Sequence, residues 1–186
     1  MQQTISATDE ITKYLKDRSQ MKYTIQETPT FTIFGVKREI KTDNAFELVP
    51  QFWREYRKNG TLAKFADSLT INNISPIPSG ILGIVTPENA SKRGIMDYYI
   101  ASSNPSATKD IQNIETYNIS ATTWIVFEGN RKKDVSSIYD YFYSQWLPAA
   151  AYKKRINIPV IESYSLNHKY MHTWSPFYIW FAIEAK

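Results

Sequence analysis

Along the first part of the chain the apolar positions change period twice. Tyr23 and Ile25 alternate with polar neighbours, and Phe31, Ile33 and Val36 follow Pro29, which predicts a strand pair or one long bent strand over Tyr23–Ile40. Phe46, Val49, Phe52, Trp53 and Tyr56 then recur at helical spacing and predict a helix over Asn44–Asn59, closed by the stop signal Asn59-Gly60. Pro50 is the irregularity in that segment, because a proline suits a helix best in its first turn. Leu62–Leu69 predicts a short second helix. Ile81–Val85 and Ile95–Ala101 predict a hairpin around the polar turn Pro87–Gly94.

After a polar linker, Ser102–Asn113, the same order returns. Thr116–Glu128 reads as extended, and Val135–Leu147 as a helix with Ile138, Phe142 and Trp146 on one face, capped by Asp134 and stopped by Pro148. Pro159–Leu166 reads as a strand, Asn167–Pro176 as a long turn and Phe177–Ile183 as a last strand. The interval from Phe31 to Trp53 equals that from Trp124 to Trp146, and Ile33 then falls on Val126. The strands Ile81–Val85 and Ile95–Ala101 match Val160–Tyr164 and Phe177–Ile183 in order. The expected fold is α+β: duplicated strand-helix-strand-strand units forming an antiparallel sheet, with helices on one face and a central ligand groove. Residues 1–20, with a polar helix over Thr8–Ser19, read as an N-terminal appendage to a domain over 21–186, with pseudo-repeats of about 21–103 and 114–186.

Composition narrows the function. A chain of 186 residues can bury a core without staples. The absence of cysteine excludes disulfides, thiolate catalysis and Cys-based zinc sites, and fits a reducing compartment. No apolar run is long enough to span a bilayer, and the first residues lack the pattern of a signal peptide, so a cytoplasmic location without a membrane partner is expected. The net charge of +4 is scattered, its densest runs being Lys37-Arg38, Arg131-Lys132-Lys133 and Lys153-Lys154-Arg155, so direct nucleic-acid binding is not expected. His168 and His172 lie in a turn without a third ligand, which argues against zinc. No phosphate loop, dinucleotide fingerprint or nucleophile elbow is present, and no cofactor is expected. The unusual feature is the aromatic content, 13 Tyr, 9 Phe and 5 Trp, because rings serve recognition as well as packing.

Three stretches carry a resemblance: VTPENASKRGIMDYYIA (Val85–Ala101), WLPAAAYKKRINIPVIESYSLN (Trp146–Asn167) and the closing FYIWFAI (Phe177–Ile183). In this order and spacing, over about residues 21–184, they resemble the gyrase-inhibitor-like superfamily, which includes the effector-binding domains of AraC-type and MerR-type transcription regulators and stand-alone versions. The resemblance implies two halves facing each other across a pseudo-twofold axis. It also implies a groove between them for small apolar or cationic molecules, with an acidic side chain to pair with a cation. Some members of the superfamily instead hydrolyse small reactive substrates, and others bind a protein. Where the family's last strand often carries a glutamate, this chain has Tyr178, while the acid on the preceding strand is kept as Glu162. That departure moves the expectation from catalysis towards binding.

Strand alternation places Glu162 and Tyr164 on one face of their strand, and Tyr178 and Trp180 on one face of the last strand. The expected ligand site is Glu162 facing Tyr178 and Trp180, joined by Tyr99 and Tyr164 from equivalent hairpins, with Trp174 in the last turn as a lid. The plainer alternatives are a surface or salt-bridged Glu162 and rings that only pack; Trp53 and Trp146 read as core. The leading function is a small-molecule effector or sequestration domain, stand-alone or working with a transcription regulator, for a small apolar, aromatic or cationic ligand. The appendage is too short for a usual helix-turn-helix. The alternatives are a small hydrolase in which Glu162 polarises water with Tyr178 as partner, and a protein-binding module.

Overall fold

A computed structural model describes residues 21–67, 76–88, 91–130, 134–164 and 177–186. The strands are β1 (Tyr23–Thr28), β2 (Phe31–Lys41), β3 (Ile81–Glu88), β4 (Ile95–Ser102), β5 (Glu115–Ile119), β6 (Thr122–Gly129), β7 (Tyr152–Lys154), β8 (Val160–Tyr164) and β9 (Phe177–Ala185). The helices are α1 (Ala45–Lys58), α2 (Thr61–Asp67) and α3 (Asp134–Tyr141), the last continued by a π-helical turn, Phe142–Trp146, and a final turn, Leu147–Ala149. The fold is the expected α+β, built on one nine-stranded sheet whose pairings are all antiparallel. The appendage 1–20, the two histidines and Trp174 lie outside the described residues.

Both extended stretches resolve into two strands that do not pair with each other. The sheet order is β1-β6-β9-β8-β3-β4-β2-β5, with β7 added beside β9. Thus β1 crosses to the second half to pair with β6, and β5 crosses to the first half to pair with β2. In a flat sheet β1 and β2 would stand six inter-strand steps apart, roughly 29 Å at about 4.8 Å a step. Only Pro29 and Thr30 join them, a connection that spans at most about 11 Å. The sheet therefore curls until its margins meet, and the amide of Ala121, in the β5–β6 connection, donates to Thr30 Oγ1 at 3.1 Å.

Period-2 alternation gives this sheet two different faces. The outer face carries the helices. Phe52 and Phe65 pack with Val36, Ile40, Ile81, Tyr98 and Ile100, while Ile138 and Phe142 pack with Ile125, Phe127, Ile179 and Phe181. Side chains buried this completely, such as Phe52 at 1% exposure, each contribute about 1.5–3 kcal/mol. The inner face gathers Phe31, Ile33, Leu82, Ile84, Ile119, Trp124, Ile161 and Trp180 into a single cluster, because the curl brings both margins of the sheet over its centre. Pro50 falls inside α1 rather than in its first turn, and Gly60 follows the helix with the positive φ of 81° that the stop signal predicts. Trp53 and Trp146 are half-buried and pack against the two outer clusters.

Candidate functional site

The two central strands, β3 and β8, bring the halves together, and Gly83 is paired with Glu162 in their register. Glu162 projects from the outer face into the seam between the two helix-covered clusters, which Val85 also joins. It is 8% exposed. Three tyrosine hydroxyls donate to its carboxylate: Tyr164 to Oε2 at 3.0 Å, Tyr98 to Oε2 at 3.2 Å and Tyr139 to Oε1 at 3.3 Å. Behind Tyr98 stands Trp53 of α1, whose Nε1 donates to the Tyr98 hydroxyl at 2.8 Å and whose ring meets Tyr164 edge-on at 5.3 Å. Tyr139 comes from α3, so both helices contribute a wall.

A glycine makes this arrangement possible. A Cβ at Gly83 would stand 2.2 Å from the Tyr98 hydroxyl oxygen and 3.0 Å from Glu162 Oε2. Tyr98 therefore lies across the bare backbone of β3 to reach the acid on β8, a path that any side chain at position 83 would block.

The electrostatics follow from burial. Loss of water pushes the Glu162 carboxyl above its ordinary range, and the hydrogen bonds from Tyr164, Tyr98 and Tyr139 pull it back part of the way. The hydroxyls of Tyr98, Tyr139 and Tyr164 are held well above their ordinary value, first by burial and then by the charge of Glu162. They stay protonated and donate. Among the described residues no lysine or arginine forms an ion pair with Glu162; the ion pairs involve Lys37, Arg38, Lys92, Lys153 and Arg155 with other acids. A buried carboxylate ringed by neutral donors can accept a cation from outside.

The expected site divides between the two faces. Glu162 and Tyr164 lie together, but Tyr178 is paired with Ser163 and Trp180 with Ile161, so both rings project from the inner face. Tyr99 is on that inner face too. Glu162 therefore does not face Tyr178 or Trp180, because neighbouring residues of a pleated strand point to opposite sides. The suggested pairing of Glu162 with Tyr178 for hydrolysis falls for the same reason. Tyr98, Tyr139 and Trp53 take the vacant places. Alternation along β4 separates Tyr98 from Tyr99, but the reach of Tyr98 over Gly83 and the turn of α3 that presents Tyr139 depend on tertiary packing. No group of three metal-binding side chains occurs among the described residues. No helix among them is long and apolar enough to cross a membrane.

Solved structures share this architecture. SAV2435 bound to tetraphenylphosphonium has a TM-score of 0.68 and 23% identity, covering 88% of this chain and 94% of that one. The integron cassette protein VCH_CASS2, from the mobile metagenome of Vibrio cholerae, has a TM-score of 0.59 and 16% identity, over 87% and 95% of the two chains. The C-terminal domain of EcmrR has a TM-score of 0.54 and 14% identity, over 90% and 99%. At these identities the likeness is one of fold. No curated protein matches the chain. A family model does: residues 24–183 match that of the integron-associated effector-binding proteins, so the chain belongs to the Cass2 effector-binding family.

Proposed function

We propose that the chain binds a lipophilic aromatic cation lacking hydrogen-bond donors, and that Glu162 supplies the counter-charge while Trp53, Tyr98, Tyr139 and Tyr164 supply ring faces. The observation that carries this reading is the state of the Glu162 carboxylate. It is buried and without an ion-pair partner among the described residues, yet it already accepts three hydrogen bonds. Three of the roughly four acceptor positions of the carboxylate are already taken, so a primary ammonium or guanidinium would leave most of its donors without a carboxylate partner. A quaternary or delocalised cation needs only charge and contact, which a carboxylate beside tyrosine and tryptophan rings provides. The small molecule, rather than a protein, is the proposed partner. The site lies where the halves 21–103 and 114–186 meet, and we propose these as two copies of one unit, supported by the sheet order and the crossing of β1 and β5.

Tetraphenylphosphonium, present in the structure of SAV2435, is the first probe. Titration followed by calorimetry and tryptophan fluorescence is expected to give saturable binding that Glu162→Gln removes. Absence of saturable binding to the wild-type chain, or equal affinity in the variant, overturns the reading.

A further inference from the structure

The inner face of the sheet holds a second, separate oddity. Trp124 and Trp180 meet there edge-on, with centroids 6.1 Å apart, inside one buried cluster. The Nε1 of Trp124 donates to Thr28 Oγ1 at 2.9 Å. The Nε1 of Trp180 is wholly buried and meets no acceptor among the described residues, although the residue is only 7% exposed. Buried donors are almost always paired, and an unpaired one raises the free energy of the empty state. The contrast between the two indoles is informative because they share the same surroundings: the fold provides an acceptor for one and leaves the other open.

The neighbours of Trp180 define what could fill that need. Its cross-strand partners are Val126 and Ile161, and Leu82, Ile84 and Ala101 complete an apolar centre. Aromatic surface lies on the same face: Tyr99 and Tyr117 have centroids 5.9 Å apart, and Tyr178 is one inward position along β9 from Trp180. Tyr117, Tyr178 and Ile77 are only partly buried, so this side of the cluster reaches towards solvent. The Ser163 hydroxyl beside Tyr178 already donates to the Ser79 carbonyl at 2.6 Å. Lys37 is held by Glu115 at 3.0 Å and Asp97 at 3.6 Å.

We infer that the inner face is a second binding site, distinct from Glu162, for a small neutral aromatic molecule bearing one strong acceptor such as a carbonyl, which receives the Trp180 Nε1 proton while Tyr178, Tyr99 and Tyr117 contact its ring. A neutral acceptor ligand suits this face for the same reason that a donor-free cation suits the other: each supplies the one group its surroundings lack.

The test uses the whole chain with 15N-labelled indoles and two probes of nearly equal shape, acetophenone and α-methylstyrene, which carries a methylene in place of the carbonyl oxygen. Acetophenone is expected to move the Trp180 indole proton downfield and saturably. α-Methylstyrene is expected to bind at least about fivefold more weakly, the deficit of one buried hydrogen bond, and to give no downfield shift. Trp180→Phe identifies the resonance and should bind the two probes equally; if that variant does not fold, the probe comparison on the wild-type chain stands by itself. Glu162→Gln should leave the acetophenone response intact while removing tetraphenylphosphonium binding, so the two sites fail independently. A Trp180 resonance unmoved by acetophenone, equal binding of both probes to the wild type, or an indole proton already at a hydrogen-bonded shift in the free protein overturns the inference.

Discussion

The two central strands, β3 and β8, lie side by side in the sheet and correspond in the proposed repeat, yet they do opposite things. At one position β8 carries Glu162 and β3 carries Gly83. The acid brings the charge, and the glycine provides the space through which Tyr98 reaches it. The proposed cation site thus arises where the two proposed repeats meet, by making them unequal there. Two acids at this position would repel each other in a buried seam, and two small residues would leave nothing to recognise a cation.

The comparison can be broken most severely from the acidic side. Glu162→Gln keeps the shape and removes the charge, and is expected to remove measurable tetraphenylphosphonium binding, a loss of about 30-fold or more by calorimetry at neutral pH. From the other side, Gly83→Ala forces a methyl against Tyr98 and is expected to cost about 1–3 kcal/mol of stability, lowering the thermal midpoint by roughly 2–4 °C per kcal/mol. It should also weaken cation binding, although residue 83 carries no charge to lose.

Changes of pH sharpen the same contrast. The Glu162 carboxyl sits above its ordinary value of 4.5, with burial as the first cause. As pH rises past that value the unfolded chain releases its proton before the folded one, so stability falls until the folded carboxyl ionises as well, and then levels; Glu162→Gln should flatten this fall. Cation affinity should run the other way, rising with pH through the raised midpoint. Tyr164→Phe removes a hydrogen bond that favours the charged form, so the midpoint of the affinity curve should move to higher pH. The smallest expected effect is Trp53→Phe, which removes the donor to Tyr98 while keeping a ring, and should reduce affinity about threefold.

Much of this was legible in the chain. The periods located the helices and hairpins, and the matched intervals suggested a repeated unit in an antiparallel α+β fold. Glu162 stood out as the acid that the resemblance keeps on the strand before the last. What the sequence could not place was the companion set. Alternation states which residues of one strand share a face, but not which face of one strand continues into which face of the next. Without that register, Tyr178 and Trp180 were assigned to the side of Glu162, although Ser163 and Ile161 are their true neighbours. Tyr139 was hidden by a different limit, since its direction depends on how α3 is rotated on the sheet. Trp53 looked like core because a helical stripe does not reveal that its end overhangs a seam. The short edge strands β1 and β5 were legible as extended chain, but their crossing to the opposite half was not, because nothing local to Pro29-Thr30 or Ser120-Ala121 names a partner nearly a hundred residues away.

That crossing also governs how the molecule comes together. Thr28 pairs with Thr122 and Phe31 with Ile119, so neither half can complete its own sheet from its own residues. Pairings of such sequence separation form late and slowly, and they leave little room for one half to melt while the other persists. The protein should fold in one cooperative, comparatively slow step, and the acid and its glycine should reach their places together or not at all.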